Sequence, residues 1–432
     1  MLSTKLKEAA GNSSASTNFI EVLKSASGDE SAQANCFDTV GNIYTTGYST
    51  VASGYPIETV KYDASGAVQW QRKLNYGASD YNVGYGIAVG SSGAVYVSGT
   101  TYLAVIYYGY VAKYSSSGSL TWQRKLIDGA GTFGVMYSVV LDSSENIYGI
   151  GYFSPASNIM GSVLVKYNSS GTLQWQRKLS LPANNIYGYS IARDSSNNLY
   201  VGADSDLGVC IAKYNSSGTL QWQRILSGAN TNYFAKPIKI AIDSSNNVYI
   251  TGSGTSGSLY FVIVVKYNSS GTLQWQKKLT GSSSCTGDGI AIDSSDNVYI
   301  CGSSNTTGTI DMLIAKYNSS GTLQWQRKLG SGNNDALGIA VSSAGIISVC
   351  GYQYLSSSYD IVLASLPSDG SKTGTYTVGA YTFTYASNSL TDGTPAFTDA
   401  AGSFVDAAGT LTDSAAILTD SASTLTSTVT SI

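Results

Sequence analysis

At 432 residues the chain is long enough for two domains by length alone. Its net charge of −3, with only 12% of residues charged, argues against a nucleic-acid binder. It contains no His, which removes the commonest general base, the commonest metal ligand and any Ser-His-Asp triad together.

The N-terminal segment 1–18 reads as an arm. Leu2, Leu6 and Ala9–Ala10 suit one or two helical turns, which Gly11-Asn12-Ser13-Ser14 ends. The segment lacks the apolar core of a secretory signal, so the general secretory route is not expected. No run approaches the ~18 apolar residues of a membrane span.

From Phe19 onward the chain is repetitive. The string Lys316-Tyr-Asn-Ser-Ser-Gly-Thr-Leu-Gln-Trp-Gln-Arg-Lys-Leu329 recurs, nearly unchanged, at 266–279, 213–226, 166–179, 113–126 and 61–74. It carries every Trp of the protein: Trp70, Trp122, Trp175, Trp222, Trp275 and Trp325. Their spacing is close to the ~40–50 residues of propeller blades. Phe19-Ile-Glu-Val-Leu23 stands where the Trp strand stands in later repeats. Of the 24 Lys and Arg, 17 belong to these repeats, so the basic residues are largely structural.

One unit, 289–329, reads as four strands. Gly289–Asp293 is followed by an Asx-type turn, then Val298–Gly302, a variable loop and the apolar Met312–Tyr317. A tight turn at 318–321 leads to Leu323–Leu329. Four short antiparallel strands per repeat make a propeller blade. The third-strand motif occurs seven times, the last at Asp360–Leu366, but only six copies are followed by a Trp strand. The predicted fold is therefore all-β: a seven-bladed β-propeller over 19–371, its last blade completed by the N-terminal strand, which removes free sheet edges. Variation concentrates between second and third strands and after each Trp strand. There Tyr, Ser, Asn and Gly supply adaptable contacts.

Composition changes at 372, opening a C-terminal segment 372–432. Tyr376–Tyr385 alternates like a strand or hairpin. Leu390, Phe397, Phe404, Leu411, Leu418 and Leu425 then recur every seven residues, with Asp392, Asp399, Asp406, Asp413 and Asp420 two places behind. One large apolar residue per heptad among Ala, Ser, Thr and Gly is poor helix material. Such a tail needs a surface to lie on, either other copies of itself or a partner, and its composition does not fix its backbone. Homo-oligomerisation is expected, a trimer in particular.

The five Cys (36, 210, 285, 301, 350) follow no metal-ligand spacing, and Cys210, Cys301 and Cys350 read as small core residues. Asp142, Asp194, Asp243 and Asp293, each followed by Ser-Ser, read as turn residues; weak calcium at 293–297 is the alternative. The Arg of each Trp-Gln-Arg strand reads as a residue between blades. No metal, cofactor or catalytic residue is expected.

The Ala-Lys-Tyr-Asn-Ser-Ser-Gly-Thr-Leu-Gln-Trp string has the spacing of the tryptophan-docking motif of pyrroloquinoline-quinone dehydrogenases, where the Trp clamps neighbouring blades. Cofactor use would need a ring of ligands that the sequence does not offer. Together with Asp-Ser-Ser-x-Asn-Val-Tyr-x-x-Gly, the string resembles the bacterial beta-propeller repeat family, similar in fold to seven-bladed NHL-type propellers. That resemblance covers 19–371 and implies fold, not activity. The tail resembles the Thr-Asp heptad tails of virion proteins of tailed phages, notably cyanophages. It implies a virion structural protein (a decoration, tail or fibre component) assembled in the host cytoplasm. The arm and tail would hold other virion proteins, and the loops a host glycan or protein. A cellular surface or sheath protein and a polysaccharide-cleaving enzyme are the alternatives. The enzyme would need two opposed carboxylates, drawn from Asp80, Asp128, Asp204, Asp288, Asp311, Asp335 and Asp360.

Overall fold

A computed structural model describes residues 18–431 except 25–27, 51–53, 76–80, 104, 129–130, 132, 155–158, 182, 229–237, 306–307, 331, 356–357, 394–396, 402–404, 409–410, 416–418 and 423–425. The predicted N-terminal arm thus lies outside the described residues but for Asn18, as do Phe404, Leu418 and Leu425.

Every regular element among the described residues is a strand. Seven antiparallel sheets form seven blades, numbered one to seven in chain order: 30–75, 82–128, 133–180, 186–228, 239–280, 289–330 and 334–367. Blade six shows the pattern, with Gly289–Ile292 innermost, then Val298–Ser304, Asp311–Tyr317 and Leu323–Gly330. Its third strand is almost wholly buried, as a continuous apolar run requires. Blade seven has three strands of its own. Phe19–Lys24 completes it, antiparallel to Ser358–Pro367, with Phe19 opposite Ser365 and Leu23 opposite Ile361. Phe19, Ile20, Val22 and Leu23 are 0–2% exposed. Ring closure by the N-terminal strand, read from the repeat count, is what the chain does.

The blades are joined by one lock repeated around the ring. Trp122, on the outer strand of blade three's predecessor, lies over Gly171 in the 168–171 turn of blade three. Gly171 has φ +79°, and a Cβ there would stand 2.8 Å from the indole. The Trp122 Nε1–H donates to Ser169 O at 3.2 Å, and Arg124 Nε to Gly171 O at 2.7 Å. The same aromatic-on-glycine contact joins Trp70 to Gly118, Trp175 to Gly218, Trp222 to Gly271, Trp275 to Gly321 and Trp325 to Gly370. Phe19 meets Gly66 in the same way, so the lock also spans the closure.

A second device ties blades one, three, four, five and six internally, through Asp38, Asp142, Asp194, Asp243 and Asp293. Asp243 Oδ1 accepts the N–H groups of Ser245 (3.0 Å) and Asn247 (2.8 Å). Its Oδ2 accepts Asn247 Nδ2–H (2.8 Å) and the Tyr249 hydroxyl (3.0 Å), with Lys266 Nζ at 3.5 Å. Lys266 also stands 4.8 Å from the Tyr249 ring centroid and donates to Ser319 O in the next blade. Asp142, Asp194 and Asp293 repeat the turn. At 293–297 the Asp293 carboxylate accepts the N–H groups of Ser295 and Asn297, Asn297 Nδ2–H and the Tyr299 hydroxyl, and Asp296 accepts Ser244 N–H and Oγ–H. Burial raises the Asp293 carboxyl more than any other single influence. Hydrogen bonds from Asn297, Tyr299 and Ser295 together outweigh it, and the net shift is downward.

Blade two lacks this Asp; Gly90 stands in its place. The carboxylate of Glu145, from the corresponding turn of blade three, fills the space. It accepts Ser92 N–H (2.8 Å), Ser92 Oγ–H (3.0 Å) and Tyr96 O–H (3.0 Å) and stands 4.0 Å from Lys113. A Cβ at position 90 would lie 2.4 Å from that carboxylate.

Beyond blade seven, Gly374–Val378 and Tyr381–Ser387 form a hairpin whose second strand pairs with the outer strand of blade six. Val378, Phe383 and Tyr385 are buried in one cluster with Met312 and Leu329. The heptad segment then circles the propeller in reverse order. Thr391–Gly393, Phe397–Ala401, Val405–Ala408, Leu411–Ala415 and Thr419–Ala422 pair with the outer strands of blades five, four, three, two and one. Thr426–Ser431 ends on Phe19–Lys24, so the closing strand lies between the third strand of blade seven and the tail.

The seven-residue period is the step from blade to blade. Tyr385, Asp392, Asp399, Asp406, Asp413, Asp420 and Ser427 stand opposite Leu329, Leu279, Leu226, Leu179, Leu126, Leu74 and Leu23. Seven extended residues reach about 23–25 Å. The backbone that the sequence leaves open is a belt adding a fifth strand to every blade. Leu390 is 5% exposed, and its N–H and C=O are both bound by the Gln326 side chain. Phe397 and Leu411 begin the strands on blades four and two.

Candidate ligand-binding face

Antiparallel four-stranded blades put their first and third connections on one face and their second connections and inter-blade links on the other. The first face carries the Asp and Asn turns, which are engaged in the locks above. The second carries the variable loops.

On that second face aromatic side chains form a continuous arc over blades one to four. Tyr48 meets Tyr55 (6.0 Å between centroids), Tyr55 meets Tyr81 (5.2 Å), and Tyr81 meets Tyr107 (6.5 Å). Tyr107 contacts Tyr102 (4.6 Å) and Phe133 (5.1 Å), and Phe133 stacks on Tyr152 (5.8 Å). Tyr152 is the hub, within 4.9–5.8 Å of Tyr187, Tyr137 and Tyr189. Tyr85 stacks on Tyr137 at 4.5 Å.

Local backbone geometry aims three of these rings. Tyr85, Tyr137 and Tyr189 are each the extra residue where the inner strand shifts register, between Gly84 and Gly86, Met136 and Ser138, and Gly188 and Ser190. A bulge re-aims its side chain. Burial, then neighbouring phenols, raises the pKa of Tyr85 and Tyr137, and burial leads again at Tyr189. These hydroxyls remain neutral donors at physiological pH. At the outer rim Tyr55 and Tyr81 are each 38% exposed.

A cleft of about 480 Å³ continues the same face over blades five to seven, lined among others by Tyr260, Asn305, Asn334, Asp335, Tyr352 and Tyr359. Asp335 is its one carboxylate among the lining residues and accepts the Tyr352 hydroxyl at 3.4 Å.

Burial raises the pKa of Tyr352 and of Cys301, and Asp288 lies near enough to Asp335 that both carboxylates add to each shift, while Asp311 and Asp360 are engaged elsewhere. Asp311 stands 3.2 Å from Lys328, Asp288 accepts Thr286 Oγ–H at 2.6 Å, and Asp360 accepts the Tyr381 hydroxyl from the hairpin. Asp80 and the side chain of Asp128 lie outside the described residues. The Trp residues, Phe19 and Leu390 line the locks and the belt rather than this face. Cys210, Cys285, Cys301 and Cys350 are buried and free, and Cys36 is partly buried.

Asp204, beside Tyr187 and Tyr189, has its pKa raised to about 7 by burial, with Asp206 adding to the shift and the Ser205 N–H opposing it. The folded carboxyl therefore keeps its proton to about pH 7, whereas an unfolded one releases it near pH 4. Between those values the folded state binds the extra proton, so this group's contribution to stability falls as pH rises and is constant above about 7. Asp204→Asn removes that slope. Its stability relative to the parent should rise between pH 4 and 7, at about 1.4 kcal/mol per pKa unit. Urea midpoints at pH 5 and pH 8 check this; an equal gap at both pH values would refute it.

Fold and face together define a closed seven-bladed propeller that holds a variable, tyrosine-rich binding surface on one side. Residues 58–301, more than half of the chain, match the family described as outer membrane protein assembly factor BamB, and the chain belongs to that family. Among curated proteins none matches. Solved structures similar to it include a protein of unknown function from Dyadobacter fermentans DSM 18053, at 10% identity and TM-score 0.48, over 80% of this chain and 97% of that one. Polysaccharide lyase Uly1 is similar at 8% identity and TM-score 0.49, over 78% and 90%. Sqt1 of Chaetomium thermophilum is similar at 10% identity and TM-score 0.41, over 80% and 96%.

Proposed function

We propose that this chain is a non-catalytic adhesion module of a virion surface, a decoration, tail or fibre component, whose variable-loop face binds an extended host glycan. The aromatic arc carries the reading. Tyr rings offer rigid apolar area at low entropic cost, and their hydroxyls hydrogen-bond at the rim. An arc crossing four blades suits a polymer better than a small ligand. Binding is favoured over hydrolysis because Asp335 is the one carboxylate among the described cleft-lining residues, whereas glycosidic hydrolysis uses a pair. The virion setting rests on the resemblance of the tail to the heptad tails of phage virion proteins.

The direct test is affinity electrophoresis in gels containing purified bacterial surface polysaccharides. The parent chain should be retarded by at least one, and Tyr81→Ala with Tyr107→Ala should weaken that retardation about tenfold or more, as hot-spot aromatics do. No retardation, or retardation indifferent to both substitutions, would sink the glycan reading. Shortening of the polysaccharide during incubation would favour the polysaccharide-cleaving alternative, and a test of Asp335→Asn would follow. Mass spectrometry of purified particles tests the virion setting separately.

A further inference from the structure

The belt pairs with the blades through a register that is the same at each step. Asp406 stands opposite Leu179 on blade three, and Asp413 stands opposite Leu126 on blade two. The acceptors are nearly the same sequence, Leu-Gln-Trp-Gln-Arg-Lys-Leu at 173–179 and Leu-Thr-Trp-Gln-Arg-Lys-Leu at 120–126. The donors are nearly the same too: Leu-Thr-Asp-Ser-Ala occurs at both 411–415 and 418–422. An edge that does not distinguish one tail repeat from the next has no means of distinguishing its own tail from that of another molecule.

The tail is also divided between a fixed root and separable strands. The hairpin 374–387 is rooted in the core of blade six through Val378, Phe383 and Tyr385. Past Leu390 each blade takes a short strand, from three residues at Thr391–Gly393 to six at Thr426–Ser431. Short ladders of this kind open independently, and an open sheet edge is a template for strand addition.

We infer that the outer edge of each blade but the sixth, whose edge the rooted hairpin holds, is a strand-acceptor site, and that its second occupant is the C-terminal tail of another copy of this chain. At low concentration the tethered tail has the higher effective concentration and closes on its own propeller. At high concentration, as in a lattice, the tail beyond 390 passes to a neighbour while the hairpin stays at home. Copies then link by strand exchange, with no new surface required. The inference does not depend on what the loop face binds.

Cross-linking separates the two arrangements. Lys178 and Ala407 are directly opposed in the blade-three ladder, as are Lys125 and Ser414 in blade two. Directly opposed antiparallel positions lie within disulfide reach. A chain with Lys178→Cys is mixed with a chain carrying Ala407→Cys and oxidised, and the Lys125→Cys and Ser414→Cys pair is treated likewise. The parent chain, with its native cysteines, is the control. The expected result is a covalent dimer from mixed chains that increases with protein concentration, and an internal link in a chain carrying both substitutions. An internal link alone at every concentration would overturn the proposal and leave a belt that never exchanges. Absence of both links would overturn it as well, because the tail would then not occupy the edges at all.

Discussion

A chain lacking residues 1–24 should lose its single cooperative unfolding transition or melt far below the full chain. Phe19, Ile20, Val22 and Leu23 are 0–2% exposed, and burying each contributes about 1.5–3 kcal/mol. Together they approach the ~5–15 kcal/mol net stability of a whole domain, although the compactness of the unfolded chain makes that burial value an upper one. The loss spreads further than one strand. Removing Phe19 empties the lock on Gly66 between blades seven and one, and removing the ladder leaves Thr426–Ser431 without its acceptor. Circular dichroism melts of the two chains measure the effect. A synthetic peptide of residues 17–27 should restore the transition in proportion to its concentration, because it binds only the folded ring. If the shortened chain melts in the same transition as the full one, the closing strand is dispensable and the ring is held by other contacts.

Gly171→Ala, like the same change at the other lock glycines, should be strongly destabilising for so conservative a substitution. The backbone contribution is the left-handed conformation at φ +79°, which costs an L-residue about 1–2 kcal/mol. The second contribution is displacement of Trp122, whose indole carbon would lie 2.8 Å from the new methyl. Moving that ring also disturbs the Nε1–H bond to Ser169 O and the neighbouring Arg124 bond to Gly171 O. The total expected loss is roughly 2–4 kcal/mol. Gly257→Ala is the control: it has φ +63° but open space around the added methyl, so it isolates the backbone contribution. Denaturant midpoints of both variants give the lock its value by difference. Equal losses would mean that the Trp adapts without cost and that the lock contributes nothing.

The binding face was only partly legible. Its position was, because variation between repeats marks the loops that the shared framework leaves free. The continuity of its aromatic rings was not. Tyr85, Tyr137 and Tyr189 look in the sequence like ordinary residues of inner strands, and they converge because each occupies a bulge. Nor did the loop acids sort themselves. Asp311 is tied to Lys328 and Asp360 to Tyr381, whereas Asp335 lines a cleft, and nothing in their spacing distinguishes them.

The sequence by itself determined the number of blades, the strand order within each and the closing role of Phe19–Lys24. Near-identical repeats state their own period, and six Trp strands for seven third strands leave one vacancy for an orphan strand to fill. Only the tertiary structure decided what lies between repeats. The partner of each Trp is a glycine in the following blade, and Glu145 supplies the carboxylate that Gly90 leaves out of the blade before it. The tail was the largest gap. A heptad of Thr, Asp, Ala and Ser has too little apolar surface to declare a fold of its own. Its period acquires meaning only against blade edges spaced one heptad apart, a distance set by the packing of the blades and written nowhere in the tail.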